Sequence, residues 1–282
     1  MKFISLIFAL VLALPSSGQN TFSRIYDADS EALRNYLIDF EVLGNNIYTY
    51  STLFCELEDS LDATCVALIK YNMEGDIISK VILDSLNSFG CCNEGLSIFK
   101  DTIVIATYAK GEKYKKVSTI QFNTDLKQVN LNKYTEPHTG SGLTNSGVEF
   151  FTGSLFLYGS INNDAVTPDS VHIIKTDLAG NELDRFYYSY GSSRLEINNL
   201  QATPDGNLAF MLQIISPPGP SGFDGFQLVK VDMAGAILDS FSFEDFYPIP
   251  NRLLVTSDGG YVFSSIDHPF YGSDIFTSGH MG

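Results

Sequence analysis

The sequence predicts an all-β chain built from repeated four-stranded antiparallel sheets, and three observations predict it. The stretch VHIIKTDLAGNEL at 171–183 returns as QLVKVDMAGAIL at 227–238, with fainter copies, ALIKYNMEGDI at 67–77 and STIQFNTDLKQV at 118–129. Its anchor residues Lys70, Gln121, Lys175 and Lys230 are separated by 51, 54 and 55 residues. A period of about 50 residues marks a unit that buries its apolar faces against its neighbours. A second turn keeps the same step: LQATPDGNLAF at 200–210 and LLVTSDGGYVF at 253–263 set Asp-Gly between apolar runs. Gly there takes positive φ without steric cost, and Asp closes the turn with its side chain. Weaker versions at 40–48, 96–106 and 148–157 complete the series. The first apolar residues after these turns, Ile47, Ile103, Leu155, Leu208 and Tyr261, are spaced by 56, 52, 53 and 53 residues. The third observation is the run Leu208-Ala209-Phe210-Met211-Leu212, apolar on successive residues, so both faces of that strand need cover. The gaps between strands hold no helical periodicity, so other sheets must supply it.

One repeat therefore reads as strand, Asp-Gly turn, strand, variable loop, strand, Asp-x-x-Gly turn, strand, with its best copy at 199–203, 208–215, 226–231 and 237–243. Sheets of this kind, one per repeat and each packed between two others, make a β-propeller. The repeats fall at about 37–83, 94–133, 145–188, 199–243 and 252–277, a single domain over 19–282. In the last of them Asp274-Ile275-Phe276 aligns with Asp224-Gly225-Phe226 at the start of a third strand. The segment TFSRIY at 21–26 resembles a fourth strand such as LDRFY at 183–187, and as the missing strand of the last blade it would close a ring of five. The rival is a fragment of a longer array of about six to eight blades. Thr277-Ser278-Gly279-His280 stands where other repeats carry Lys-x-Asp, and that departure weighs for the rival. Residues 28–36 read equally as one or two helical turns or as a loop joining blades.

Residues 1–18 carry one Lys, an apolar run over 3–14, a Pro break and small residues at Ser16-Ser17-Gly18, the pattern of a secretory signal peptide. No later run reaches the roughly 18 apolar residues that a membrane-spanning helix needs, so no membrane insertion is expected. The formal net charge is −16. Such a surface repels phosphate backbones and anionic headgroups, which argues against nucleic acid and membrane surfaces as partners. A secreted or cell-surface monomer with a protein or glycan ligand is the expectation. Outside the reducing cytoplasm Cys55, Cys65, Cys91 and Cys92 read as disulfide cysteines. Three pairings are open. Cys55 with Cys65 would clamp a loop over 56–64, but adjacent Cys91 and Cys92 would then be strained or reduced.

The repeated motif I/V-K-x-D-x-x-G followed by T-x-D-G-x-hydrophobic, behind a signal peptide ending near Gln-Asn, resembles the kelch-like β-propeller repeat proteins secreted by bacteria through type IX export. The likeness covers roughly residues 21–276 and is strongest over 171–265. It implies a propeller serving as a surface or secreted scaffold. The C-terminal sorting domain of many members is not found in this sequence.

The site residues divide into turn formers and candidate binders. Asp177, Gly180, Asp205, Gly206, Asp232, Gly235, Asp258 and Gly259 recur as turn chemistry. Each Asp stands alone, whereas calcium needs about six to eight converging oxygens. The repeated Lys70, Lys175 and Lys230 read as solvated strand-end residues. His138, His172, His268 and His280 show no ligand spacing, so neither a metal nor a cofactor is expected. The hydroxyls beside His138, in His138-Thr139-Gly140-Ser141-Gly142, lack the frame of a nucleophile elbow. Lys110, Lys113, Lys115 and Lys116 form a basic loop tip, solvated or docking an acidic partner. Variable loops on a rigid scaffold are where binding resides, and here they carry Tyr108, Tyr114, Tyr134, Tyr188, Tyr190, Phe223, Phe246 and Tyr247. The absence of Trp weighs against glycan stacking. The main reading is a non-catalytic binding or scaffold propeller. The alternative is an extracellular polysaccharide hydrolase or lyase with carboxylates meeting in the ring's central mouth, for which Glu149, Asp205 and Asp258 read as poor candidates. A truncated part of a larger surface protein is the third reading.

Overall fold

The computed structural model describes residues 35–57, 60–83, 95–109, 116–134, 142–143, 147–162, 170–190, 194–215, 225–244, 249–266 and 277–280. All belong to one unit, Ala32–Gly282. The expected signal peptide, the strand at 21–26, Cys91 and Cys92 lie outside the described residues.

Among the described residues, twenty strands form five antiparallel sheets. The first holds β1 (Asn35–Leu43), β2 (Asn46–Leu57), β3 (Ser60–Asn72) and β4 (Ile77–Leu83). The second holds β5 (Leu96–Phe99), β6 (Thr102–Ala109), β7 (Lys116–Asn123) and β8 (Gln128–Tyr134). In the third, β9 (Gly142–Leu143) adds to β10 (Gly147–Phe151), β11 (Ser154–Asn162), β12 (Ser170–Thr176) and β13 (Glu182–Ser189). The fourth holds β14 (Arg194–Ala202), β15 (Leu208–Ile215), β16 (Gly225–Val231) and β17 (Ile237–Glu244), and the fifth β18 (Ile249–Val255), β19 (Gly260–Ile266) and β20 (Thr277–His280). Within each sheet the strands lie side by side in chain order, except that β9 pairs with β11. First strands touch first strands, β1 with β5, β5 with β10, β10 with β14 and β14 with β18, so they are the innermost. This is a β-propeller.

The register confirms the period read from the turns. Ile47, Ile103, Leu155, Leu208 and Tyr261 each open a second strand, opposite Val42, Ile98, Phe150, Ala202 and Val255. Three alignments need correction. The segment 56–64 is not a free loop, because β2 runs on to Leu57 and β3 starts at Ser60, with Cys65 opposite Leu53 and Cys55 opposite Ala63. The fourth blade begins at Arg194 rather than at 199, its inner strand bulging between Asn198 and Gln201. Thr277 lies opposite Phe263 as Val229 lies opposite Phe210, so it corresponds to Val229, two places along from the sequence alignment.

Alternation along the second strands explains their unbroken apolarity. Leu208, Phe210 and Leu212 enter a cluster with Phe156, Tyr158 and Ile173 of the third blade, while Ala209 and Met211 enter one with Leu253, Tyr261 and Phe263 of the fifth. Residues one apart in a strand face opposite sides, so one strand fills two joints. Two further clusters fill the joints between the first and second blades and between the second and third.

Candidate active site

Position by position, the inner strands carry Asp39, Gly95, Gly147, Asn199 and Arg252 just before Phe40, Leu96, Val148, Leu200 and Leu253. Two of these residues do the same structural work. Asn199 Oδ1 accepts the Leu253 N–H of the next blade at 3.1 Å, and Asp39 Oδ2 accepts the Leu96 N–H of the next blade at 3.2 Å. Asp39 differs in having a charge and a second partner. Its Oδ1 accepts the Phe40 N–H at 2.9 Å and lies 3.6 Å from Arg252 Nη2, which reaches across from the last blade to the first.

Glu41 follows two residues on, and residues at i and i+2 of a strand point the same way, with Cα atoms about 6.6 Å apart. Both carboxyls sit above the usual carboxylate range. For Asp39 the cause is burial, opposed by the Leu96 N–H, Arg252 and the Phe40 N–H. Glu41 stands more exposed; reduced hydration and then the charge of Asp39 push it up, against the Val42 N–H and Arg252. Two carboxyls that bear on each other in unlike surroundings make a candidate acid–base pair. Glu149 and Glu196 lie on the inner strands β10 and β14 of other blades. Glu149, read from the sequence as a poor candidate, is therefore an inner-strand residue.

Several apolar side chains of β1 and β18 stand open. Phe40 is 56% exposed, whereas its counterparts Leu96, Val148, Leu200 and Leu253 are 3%, 2%, 0% and 4% exposed. Leu37 and Val42 of β1 and Leu254 of β18 are exposed as well. Among the described residues no apolar cluster spans the joint between the last and first blades.

The aromatic residues assigned to the loop face are differently placed. Tyr134 ends β8, only 4% exposed, and its hydroxyl donates to Gly180 O of the next blade at 3.0 Å. Tyr188 lies in β13, half-buried, and donates to Gly235 O at 2.9 Å. Both tie blades together because each outer strand lies against the next blade's turn. Tyr190 is exposed just beyond β13, and Tyr108 belongs to β6. Tyr114, Phe223, Phe246 and Tyr247 lie outside the described residues.

The repeated Lys positions also tie blades, which corrects their reading as solvated strand ends. Lys70 Nζ donates to Thr124 O at 3.0 Å, Gln121 Nε2 to Leu178 O at 3.1 Å and Lys175 Nζ to Met233 O at 3.3 Å, each to the turn of the following blade. Lys230 instead pairs with Asp205 of its own blade at 2.8 Å. The recurrence of Lys or Gln at one step is the signal that could have shown this. The turns themselves are closed locally: Asp177 Oδ1 accepts the Asn181 N–H and Asp232 Oδ1 the Ala236 N–H, both at 2.8 Å. Asp205 and Asp258 each accept a hydroxyl, from Thr203 and Thr256. Among the described residues no three His, Cys, Asp or Glu side chains converge as a metal site, and no helix is long and apolar enough to cross a membrane.

No protein-family model matches the sequence, and no curated protein matches it. Solved structures match the fold. A Penicillium chrysogenum α-L-arabinanase complexed with arabinobiose aligns over 83% of this chain and 80% of its own, at 14% identity and a TM-score of 0.55. A Dyadobacter fermentans protein of unknown function aligns over 83% and 74%, at 13% identity and 0.56. The Fusarium graminearum α-L-arabinofuranosidase, bound to an iminosugar inhibitor, aligns over 90% and 82%, at 11% identity and 0.52. At these identities the likeness is one of fold, and it agrees with the propeller read from the sheets.

Proposed function

We propose that the protein is a secreted glycoside hydrolase of the β-propeller class, acting at the axis beside the inner strand of its first blade. The observation that carries this reading is the Asp39–Glu41 pair on the innermost strand, with Arg252 on Asp39. Arg252 and two N–H donors favour the ionised form of Asp39, which takes the role of base toward a water. Glu41, raised by reduced hydration and then by that neighbouring charge, protonates the departing glycosidic oxygen. In inverting hydrolases two carboxyls about 6.5–9.5 Å apart flank a water, and that is the separation this reading requires of Asp39 and Glu41. The fold likeness to proteins named for arabinan and arabinofuranoside chemistry supports an arabinose-containing polysaccharide as the substrate to try first. The signal-peptide pattern at 1–18 supports work outside the cell, and the kelch-like motif supports the repeat type.

The competing reading is a binding module, favoured by one fact: Asn199 performs the packing duty of Asp39 without a charge. The same fact makes the test clean. Asp39→Asn keeps the acceptor for the Leu96 N–H, so the variant folds with the wild-type thermal midpoint, while release of shorter products from arabino-oligosaccharides falls by about 100-fold or more. Unchanged turnover in Asp39→Asn removes Asp39 from the chemistry. Binding of the oligosaccharides without cleavage by the wild type favours the binding module.

A further inference from the structure

We infer that Arg252 is a positioning residue that clasps the last blade to the first through Asp39 and holds that carboxylate in place at the axis. The inference rests on the hydrolase reading for its purpose, and on geometry for its content. Neighbouring blades are joined elsewhere by apolar clusters and by Lys, Gln and Tyr bonds to turn carbonyls. The last-to-first joint has no such cluster among the described residues, and its inner-strand apolar residues stand exposed. What spans it is the 3.6 Å approach of Arg252 Nη2 to Asp39 Oδ1.

Arg252 occupies the same inner-strand position as Asn199 and Asp39, each of which points at the following blade. Its target is therefore set by the ring: the following blade is the first, and the group found there is the Asp39 carboxylate. The groups bearing on Asp39 are Arg252 from β18, the Leu96 N–H from β5, and Glu41 and the Phe40 N–H from β1 itself. Arg252 is the cation of this set, and it counters the burial that favours a neutral Asp39. An exposed joint leaves the guanidinium stem hydrated, so the clasp tolerates charge where a filled joint would not.

The experiment follows the Asp39 and Glu41 carboxyl resonances by NMR across a pH titration of the mature chain, in wild type, Arg252→Lys and Arg252→Met. Arg252→Met should titrate Asp39 about one pH unit higher, a tenfold change in its proton affinity. Arg252→Lys should return most of that shift. If Arg252→Met does not fold, Arg252→Gln keeps a donor, loses the charge and carries the same expectation. An Asp39 midpoint that stays put in the uncharged variant overturns the inference whatever happens to turnover. A midpoint that moves in a protein with no glycosidase activity supports the clasp and removes the hydrolase reading, so the two fail separately. With turnover present, the acidic limb of the pH–kcat profile should move with Asp39, which a purely structural clasp would leave unmoved.

Discussion

The joint between the third and fourth blades and the joint between the last and first use matching strand positions for opposite ends. In the former, Phe156, Tyr158, Leu200 and Phe210 interlock with almost no exposed surface. In the latter, Phe40 stands open on the face of β1 opposite Asp39 and Glu41, and Arg252 reaches Asp39 from the last blade. A filled joint gains from apolar burial and excludes charge. A clasped joint gives up that burial and keeps ionisable groups at the axis. Repetition builds the scaffold, and the place where repetition lapses is where chemistry becomes feasible.

The sharpest way to break the comparison is to truncate matching aromatics. Phe210→Ala should cost about 3–5 kcal/mol in denaturant unfolding, and Phe40→Ala less than about 1 kcal/mol, as for surface changes. Equal costs would mean that the last-to-first joint is packed in solution. Next comes His172, which shares a face of β12 with Ile174 and so points into the filled second-to-third joint. It is fully buried, no hydrogen-bond partner is found for either ring nitrogen, and burial, with Arg185 adding to it, lowers its pKa to about 3. The unfolded chain takes up the proton near the ordinary value while the folded chain refuses it. Stability is therefore lost as pH falls from 6.5 toward about 3. His172→Gln copies Gln227, which holds the corresponding place opposite Leu212, and should flatten that acid loss by on the order of 3 kcal/mol. An unchanged acid slope would show that this joint admits charge.

Two smaller effects sharpen how turns seal the filled joints. Gly235 and Gly206 share φ of +83, but an added Cβ meets Phe186 at 2.3 Å in the first and open space in the second. Gly206→Ala should cost about 1 kcal/mol for the left-handed backbone alone, and Gly235→Ala about 2 kcal/mol more for the clash. Thermal melts that rank them alike would remove the turn from the joint. Tyr188→Phe, which deletes the bond to Gly235 O, should cost about 1 kcal/mol. No change would mean that water replaces that bond.

Much of the scaffold was legible from residues close together in the chain. The steps between Lys70, Gln121, Lys175 and Lys230 and the Asp-Gly turns located the sheets to within a few residues, because turn chemistry and strand alternation act over short separations. The site was far less legible. Tyr134 and Tyr188 read as loop aromatics, yet each closes on a turn one blade away. Glu149 read as a poor candidate because a sequence does not label which strand of a sheet lies innermost.

By itself, the sequence determined the repeating strand-and-turn unit and the sidedness of its apolar residues, since both follow from backbone dihedral preferences and the two-residue period of a strand. Tertiary structure alone decided that Asp39 and Arg252, near opposite ends of the chain, face each other, and that Phe40 stays open where its counterparts are buried. Those contacts arise from how blades turn about an axis, and no local pattern of residues encodes that rotation.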